Sequence, residues 1–238
     1  MTRSRFANEL PPSYLELEHV YLGTFGRGAR TVAVTGVQGG DGASLLAHAL
    51  AARATSAGLR ALYLDLNLFR PSFPSLQIAW RPDDQSVHQA LLPRDHSAPF
   101  EVAPAPVGAS NLLFREPAVL KRLLEEKLVD YDAIVIDTSA ICSVNAGNVP
   151  PEILAAACDS CVLVMLAGVT KQAPARLAVD RLTAAGAKIA GVVLNDRDNP
   201  TLADEMCREV NRLKRWLPNL TEKMCRWIRR KDLLRQPG

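Results

Sequence analysis

The chain has 238 residues and a formal net charge of +3, with 48% hydrophobic and 22% charged residues, 14 Gly, 16 Pro and 5 Cys. So high a hydrophobic fraction at so low a net charge excludes a disordered chain, and glycine and proline without a period exclude collagen-like and low-complexity classes. No apolar run reaches the roughly 18 residues of a membrane span, the N-terminal stretch lacks the apolar core of a secretory signal, and five scattered cysteines make no disulfide framework, so a cytoplasmic protein is expected.

In chain order, a Pro pair (Pro11, Pro12) precedes a short helix expected from Ser13 to about Leu22, and glycines at 23, 26 and 28 then turn the chain. Thr31–Thr35 is a β-branched run bounded by turn residues, hence a buried strand. A glycine-rich loop, Gly36-Val-Gln-Gly-Gly-Asp-Gly42, leads into a helix over Ser44–Ser56 that Gly58 closes. Arg60–Asp65 reads as the second strand, residues 67–110 as a Pro-rich irregular stretch with a helical turn at Ser86–Leu92, and Pro117–Leu128 as an amphipathic helix. Tyr131–Asp137 is the next buried strand, Pro151–Ala157 a helix, Cys161–Leu166 a strand, Ala173–Ala185 a helix and Ile189–Leu194 a strand. Strands alternating with helices imply an α/β fold, a doubly wound, mainly parallel sheet with helices on both faces.

The charge is unevenly spread. From Ala203 on, ten Lys/Arg face five acids, a net +5, which leaves the first 202 residues at −2. The organisation expected is an N-terminal helical segment over 1–29, one α/β domain over 30–200 and a basic tail over 201–238. Pro218 should split that tail into helices over Leu202–Leu217 and Thr221–Leu234. On the second, Met224, Trp227, Ile228 and Leu234 recur near helical spacing beside Lys223, Arg226, Arg229, Arg230 and Lys231. Such a helix suits either packing on the sheet or docking on an anionic membrane surface or acidic partner; nucleic acid ranks last.

In sheets of this kind ligands bind beyond the carboxyl ends of the strands, and three of those ends are distinctive. The loop Gly36–Ser44 runs from a strand into a helix N-terminus, which makes a phosphate cradle of backbone N–H groups and the helix dipole. Asp65-Leu-Asn67-Leu-Phe-Arg70-Pro71 follows the second strand, and Asp137-Thr138-Ser139 follows Tyr131–Ile136. An acid ending an apolar strand beside a phosphate loop is the usual place for a Mg²⁺–water ligand.

These motifs, with Gly191-Val-Val-Leu-Asn195, stand in the order and at the spacing of the MinD/ParA group of P-loop NTPases. They most resemble the cytoplasmic bacterial tyrosine-kinase domains of polysaccharide co-polymerases, over about Glu16 to Asn195. In that family the phosphate loop reads roughly S-x-x-P-G-E-G-K-S, the second strand ends D-x-D-x-R-x-P, and Walker B reads Y-D-x-V-I-I-D-T-P-P. The resemblance implies ATP or ADP at Gly39, Gly40, Asp41, Gly42, Ala43 and Ser44, with Asn195 at the adenine. It implies Mg²⁺ on Ser44, Asp65 and Asp137, the two aspartates being the residual catalytic groups.

The departures matter as much. The Walker lysine is Ala43, the signature lysine of the MinD/ParA group falls at Gln38, the second acid of D-x-D is Asn67, and Pro-Pro after Walker B is Ser139-Ala140. Losing one charged hydrogen bond predicts phosphate binding about 10–150-fold weaker, and a larger loss in phosphoryl transfer. The oligomerisation pattern E-x-x-R-x-x-R appears as Glu16, His19 and Leu22, and no tyrosine follows Tyr131, so the autophosphorylation tail is missing. The expectation is a catalytically impaired pseudo-ATPase or pseudokinase, accessory to bacterial exopolysaccharide, capsule or cellulose-type synthesis or export. It would sit at the cytoplasmic face of the inner membrane, with a polysaccharide synthase or co-polymerase subunit as partner and the capacity to form a homodimer. Two alternatives stay open: an active tyrosine kinase or ATPase using another cation such as Arg70, and a ParA-like positioning protein. Cys158-Asp-Ser-Cys161 has CxxC spacing but no second pair, so buried structural cysteines are expected. His48, on an apolar helix, reads as packing.

Overall fold

A computed structural model describes residues 10, 13–68, 70–73, 78–94, 98–107, 112–143 and 147–196. The helices expected of the basic tail lie outside these residues. The chain divides into two compact units: Met1–Met165 with Thr170–Leu194, and Leu166–Val169 with the chain from Asn195 on. In the second, the Ala167 N–H donates to the Asn195 carbonyl at 2.9 Å and the Val169 N–H to that of Leu166.

The β-branched and apolar runs form β1 (Thr31–Gly36), β2 (Ala61–Asp65), β4 (Ala133–Asp137), β5 (Ser160–Leu166) and β6 (Ile189–Asn195). A further strand, β3 (Glu101–Ala103), lies in the stretch the sequence leaves irregular. Three residues between prolines carry no readable period; pairing with Leu62–Leu64 is what makes them a strand. The six strands form one sheet in the order β3-β2-β4-β1-β5-β6, parallel throughout β1–β5.

Helices α1 (Leu15–Gly23), α2 (Ala43–Ser56), α3 (Ser86–Ala90), α4 (Pro117–Arg122), α5 (Pro151–Ala156) and α6 (Gln172–Ala184) complete the fold. Strand alternation divides the core between the two faces of the sheet. Val32, Val34, Tyr63, Val135 and Val162 pack with Leu46, Leu50 and Leu17 of α2 and α1. Ala33, Leu62, Leu64, Ile134, Ile136 and Leu163 pack instead with Leu120, Leu154 and Leu182 of α4, α5 and α6. The doubly wound arrangement is therefore as expected. One helix differs: α4 ends at Arg122, and Leu123–Lys127 forms a wider π turn. Around it the Arg30 guanidinium takes the carbonyls of Leu124, Leu128 and Tyr131, so tertiary bonds replace the regular ladder.

β1 has β4 on one side and β5 on the other, with β2 reached beyond β4. The chain leaves β1 and β4 in opposite directions across the sheet, so their carboxyl ends flank the crevice that such sheets use for ligands.

Candidate functional site

Register alone sets the two strand-end acids side by side, since Asp65 lies opposite Asp137 in the β2–β4 pairing. Both are fully buried. Tyr63, two residues before Asp65 and so on the same face, donates its hydroxyl to Asp137 Oδ2 at 2.7 Å. Ser72 donates its hydroxyl to the same oxygen at 3.0 Å and its N–H to Asp65 Oδ2 at 2.7 Å. The Asn67 N–H donates to Asp65 Oδ1 at 3.1 Å. Among the described residues, Asp137 Oδ1 has no hydrogen-bond partner.

Among the described residues no cation pairs with either acid. Burial, followed by the neighbouring Asp137 charge, pushes Asp65 well above the usual carboxylate range, against bonds from the Ser72 and Asn67 N–H groups. Burial raises Asp137 to about 6, and hydroxyls of Tyr63, Ser44 and Ser72 partly restrain the rise. Burial and both carboxylates also raise Tyr63, which stays a protonated donor. A buried, uncompensated carboxylate oxygen beside the Ser44 hydroxyl has the donor chemistry of a Mg²⁺ site, so Ser44, Asp137 and Asp65 fit the metal expected of them.

The loop Gly36–Ser44 arches over the adjoining strand ends. Val37 N–H is tied to the Val164 carbonyl at 2.9 Å, and Ile141 and Cys142 N–H groups to the carbonyls of Gly36 and Val37. Gly40 and Gly42 have φ of 98° and 97°, a region that side chains rarely adopt. Gly42 is the N-cap residue of α2, so Ser44 lies inside the first turn and does not cap the helix. Ala43 opens the helix where the family lysine would stand. Gln38 is exposed, and its N–H is held by Asp41 Oδ2 at 2.7 Å, with Asp41 only 2% exposed. The cradle's one charged side chain is thus an acid folded onto one of its own N–H groups.

The geometry brings Asp65, Asp137, Ser44 and the loop Gly39–Ala43 to one edge. Asn195 ends β6 and belongs to the second unit. Asn67 Oδ1 accepts from the Arg70 N–H at 3.3 Å, holding a turn. Sequence reasoning missed Tyr63 and Ser72. Tyr63 was legible as a polar aromatic at the same-face position before a strand-end acid; Ser72, in an irregular stretch, carried no signal. Cys158 and Cys161 are buried, and burial raises both thiols, Cys161 to about 12. His48 packs edge-on against Phe100 with centroids 4.9 Å apart.

No family profile and no curated protein matches the chain by sequence. Solved structures do match in fold. The kinase domain of the Escherichia coli tyrosine kinase ETK superposes with TM-score 0.61 at 20% identity, over 72% of this chain and 70% of that one. The VpsO kinase domain gives 0.63 at 24% identity, over 77% and 94%. The septum site-determining protein MinD of Pyrococcus horikoshii, solved with Mg-ADP, gives 0.56 at 18%, over 72% of each chain. The fold is the one shared by bacterial tyrosine-kinase domains and MinD-type ATPases.

Proposed function

We propose that this chain, built on the fold of bacterial tyrosine-kinase domains and MinD-type ATPases, is a catalytically impaired P-loop protein. It would serve as an accessory or regulatory subunit of bacterial exopolysaccharide, capsule or cellulose-type synthesis or export. One observation carries the reading: the loop that would hold the phosphates runs into α2 with Ala43 at the Walker-lysine position and has Gln38 at the signature-lysine position. Phosphoryl transfer rests on cationic groups placed where charge develops, and this loop carries neither of the two lysines.

The acid pair supports Mg-nucleotide binding without turnover. Ser44, Asp137 and Asp65 would hold Mg²⁺, which when bound neutralises phosphate charge. Tyr63 and Ser72 occupy Asp137 Oδ2 and orient the carboxylate, leaving Oδ1 available. Backbone N–H groups and the α2 N-terminus would receive the phosphates. The partner in this reading is a polysaccharide synthase or co-polymerase membrane subunit, met at the cytoplasmic face of the inner membrane, with the basic tail contacting partner or lipid. Self-association through α1 belongs to the same reading: Glu18 chelates Arg53 at 2.6 and 2.9 Å, fixing α1 on α2, while Glu16, His19 and Leu22 face outward.

Calorimetry with Mg-ATP and Mg-ADP, alongside a phosphate-release assay, tests this. Weak binding with no turnover and no tyrosine phosphorylation is expected. Steady ATP hydrolysis that disappears in Asp137→Ala would overturn it, because a contaminant would not respond to that change.

A further inference from the structure

At the amino edge of the sheet, away from the phosphate loop, a cavity of 340 Å³ lies between the turn after α1 and the starts of β5 and β6. Thr24, Arg27, Asp159, Ser160, Lys188 and Ile189 line it. That volume falls at the small end of the roughly 300–1,000 Å³ of ligand pockets.

Backbone bonds fix the frame. The turn Phe25–Arg27 ends at Gly28, whose φ of 88° is left-handed. The Gly28 and Ala29 N–H groups close that turn on the carbonyls of Phe25 and Thr24, at 2.9 and 3.3 Å. On the other side, the Cys161 N–H donates to the Lys188 carbonyl at 2.8 Å. Asp159 ties the two sides together, since its Oδ2 accepts the Arg30 and Thr31 N–H groups at 3.0 and 2.9 Å.

The side chains supply the chemistry. Arg30, Arg53, Arg60 and Arg181 are each spent on protein acceptors. The Arg27 and Lys188 side chains, by contrast, have no hydrogen bond or ion pair among the described residues. Ser160 is only 7% exposed, and its hydroxyl is likewise unbonded there while keeping accessible surface. Asp159 sets one negative charge against the two positive ones, and three donors already hold its Oδ2. The lining therefore keeps one positive charge in excess, and an anion is the ligand that answers it. A guanidinium fork takes two oxygens, an ammonium takes a third as a point charge, and a hydroxyl donates to any of them. A phosphate monoester offers three terminal oxygens to these donors, whereas a carboxylate or a phosphodiester offers two. Ala29, Ile189 and Ala190 leave an apolar wall for the carbon side of the ester.

We infer that this cavity is a second ligand site, in which Arg27, Lys188 and Ser160 hold a phosphate monoester at the sheet edge remote from the nucleotide loop. Soluble polyol phosphates and the headgroup of phosphatidic acid share that chemistry.

Titration calorimetry of the full chain with sn-glycerol 3-phosphate and with dimethyl phosphate tests it, beside flotation on phosphatidylcholine vesicles with and without phosphatidic acid. The monoester should bind more tightly than the diester. Arg27→Gln and Lys188→Gln should each weaken it about 10-fold, the value of a charged hydrogen bond, and Ser160→Ala about 2–10-fold, that of a neutral one. Neither charge removal should move the melting temperature, because these side chains bond to nothing among the described residues. Ser44→Ala should leave the ester affinity unchanged. Flotation that needs phosphatidic acid and is lost in the Arg27→Gln, Lys188→Gln double variant assigns the group to a lipid headgroup. Ester binding that the double variant abolishes, with flotation indifferent to it, assigns the group to a soluble ligand. No ester binding at millimolar concentrations, with flotation unaffected by the double variant, overturns the proposal. So does ester binding that survives the double variant but is lost in Ser44→Ala, since the phosphate then sits in the nucleotide loop. A diester bound as tightly as the monoester overturns the monoester assignment.

Discussion

Aspartates stand at both ends of the sheet and meet opposite fates. At the amino ends, Asp159 Oδ2 accepts the N–H groups of Arg30 and Thr31 and the Thr31 hydroxyl at 2.9–3.0 Å. Burial works to raise its pKa, but these bonds and the Arg30 charge outweigh it and hold Asp159 below the ordinary carboxylate range. At the carboxyl ends, the Tyr63 and Ser72 hydroxyls sit on one oxygen of Asp137 with the Ser44 hydroxyl beside the carboxylate, and burial still wins. The same residue type stabilises the fold where strands begin and burdens it where they end. Carboxylates held unfavourably at one edge are what a ligand site looks like before its ligand arrives.

The largest test of that contrast is Asp137→Asn. Asp137 titrates near 6 when folded, against an ordinary value of 3.8. The folded state then holds the extra proton, so its stabilising contribution is fully present below about pH 4 and is lost as pH rises through about 6. A rise of that size corresponds to roughly 3 kcal/mol. Urea unfolding should find Asp137→Asn more stable than the parent by about that amount at pH 8 and little different at pH 4. Destabilisation at both values would break the comparison.

Restoring the missing cation comes next. Ala43→Lys should tighten Mg-ATP by about 10–150-fold in calorimetry, and should not create tyrosine autophosphorylation, because no tyrosine follows Tyr131. An unchanged affinity would mean that the loop does not receive phosphates.

At the opposite end, Asp159→Ala should cost about 2 kcal/mol at pH 7, from three lost hydrogen bonds at a partly exposed site. Its folded pKa is lowered, so this contribution is present above the unfolded value and disappears as pH falls through the folded one. Unfolding curves that differ at pH 7 should therefore converge for parent and variant in strong acid.

The smallest effects lie in the loop. Gly40→Ala should cost about 1 kcal/mol through its left-handed backbone, since among the described residues nothing lies within 4 Å of the added carbon. Among the described residues Gly39→Ala meets only Ser143 Oγ at 3.6 Å and should cost less. Equal melting temperatures for the two variants would show that the loop does not hold Gly40 in that conformation.

The sequence by itself determined β1, β2, β4 and β5, because a buried parallel strand must be a continuous apolar run, and Thr31–Gly36, Ala133–Asp137 and Ser160–Leu166 are such runs. It also located the phosphate loop and both strand-end acids, since glycines at forced turns and charges closing apolar runs are local signals. The strand Glu101–Ala103 escaped it because three residues acquire their conformation only by pairing with β2. Only the tertiary structure decided which face Tyr63 shares with Asp137, that Ser72 returns to bond both acids, and that Asp41 turns back onto the loop. It alone joined Arg27, Ser160 and Lys188 into one cavity from three distant segments. The physical reason is range: propensity, period and turn chemistry act over a few residues. Register, side-chain burial and the charge a buried acid can hold depend on neighbours that the fold brings from far along the chain.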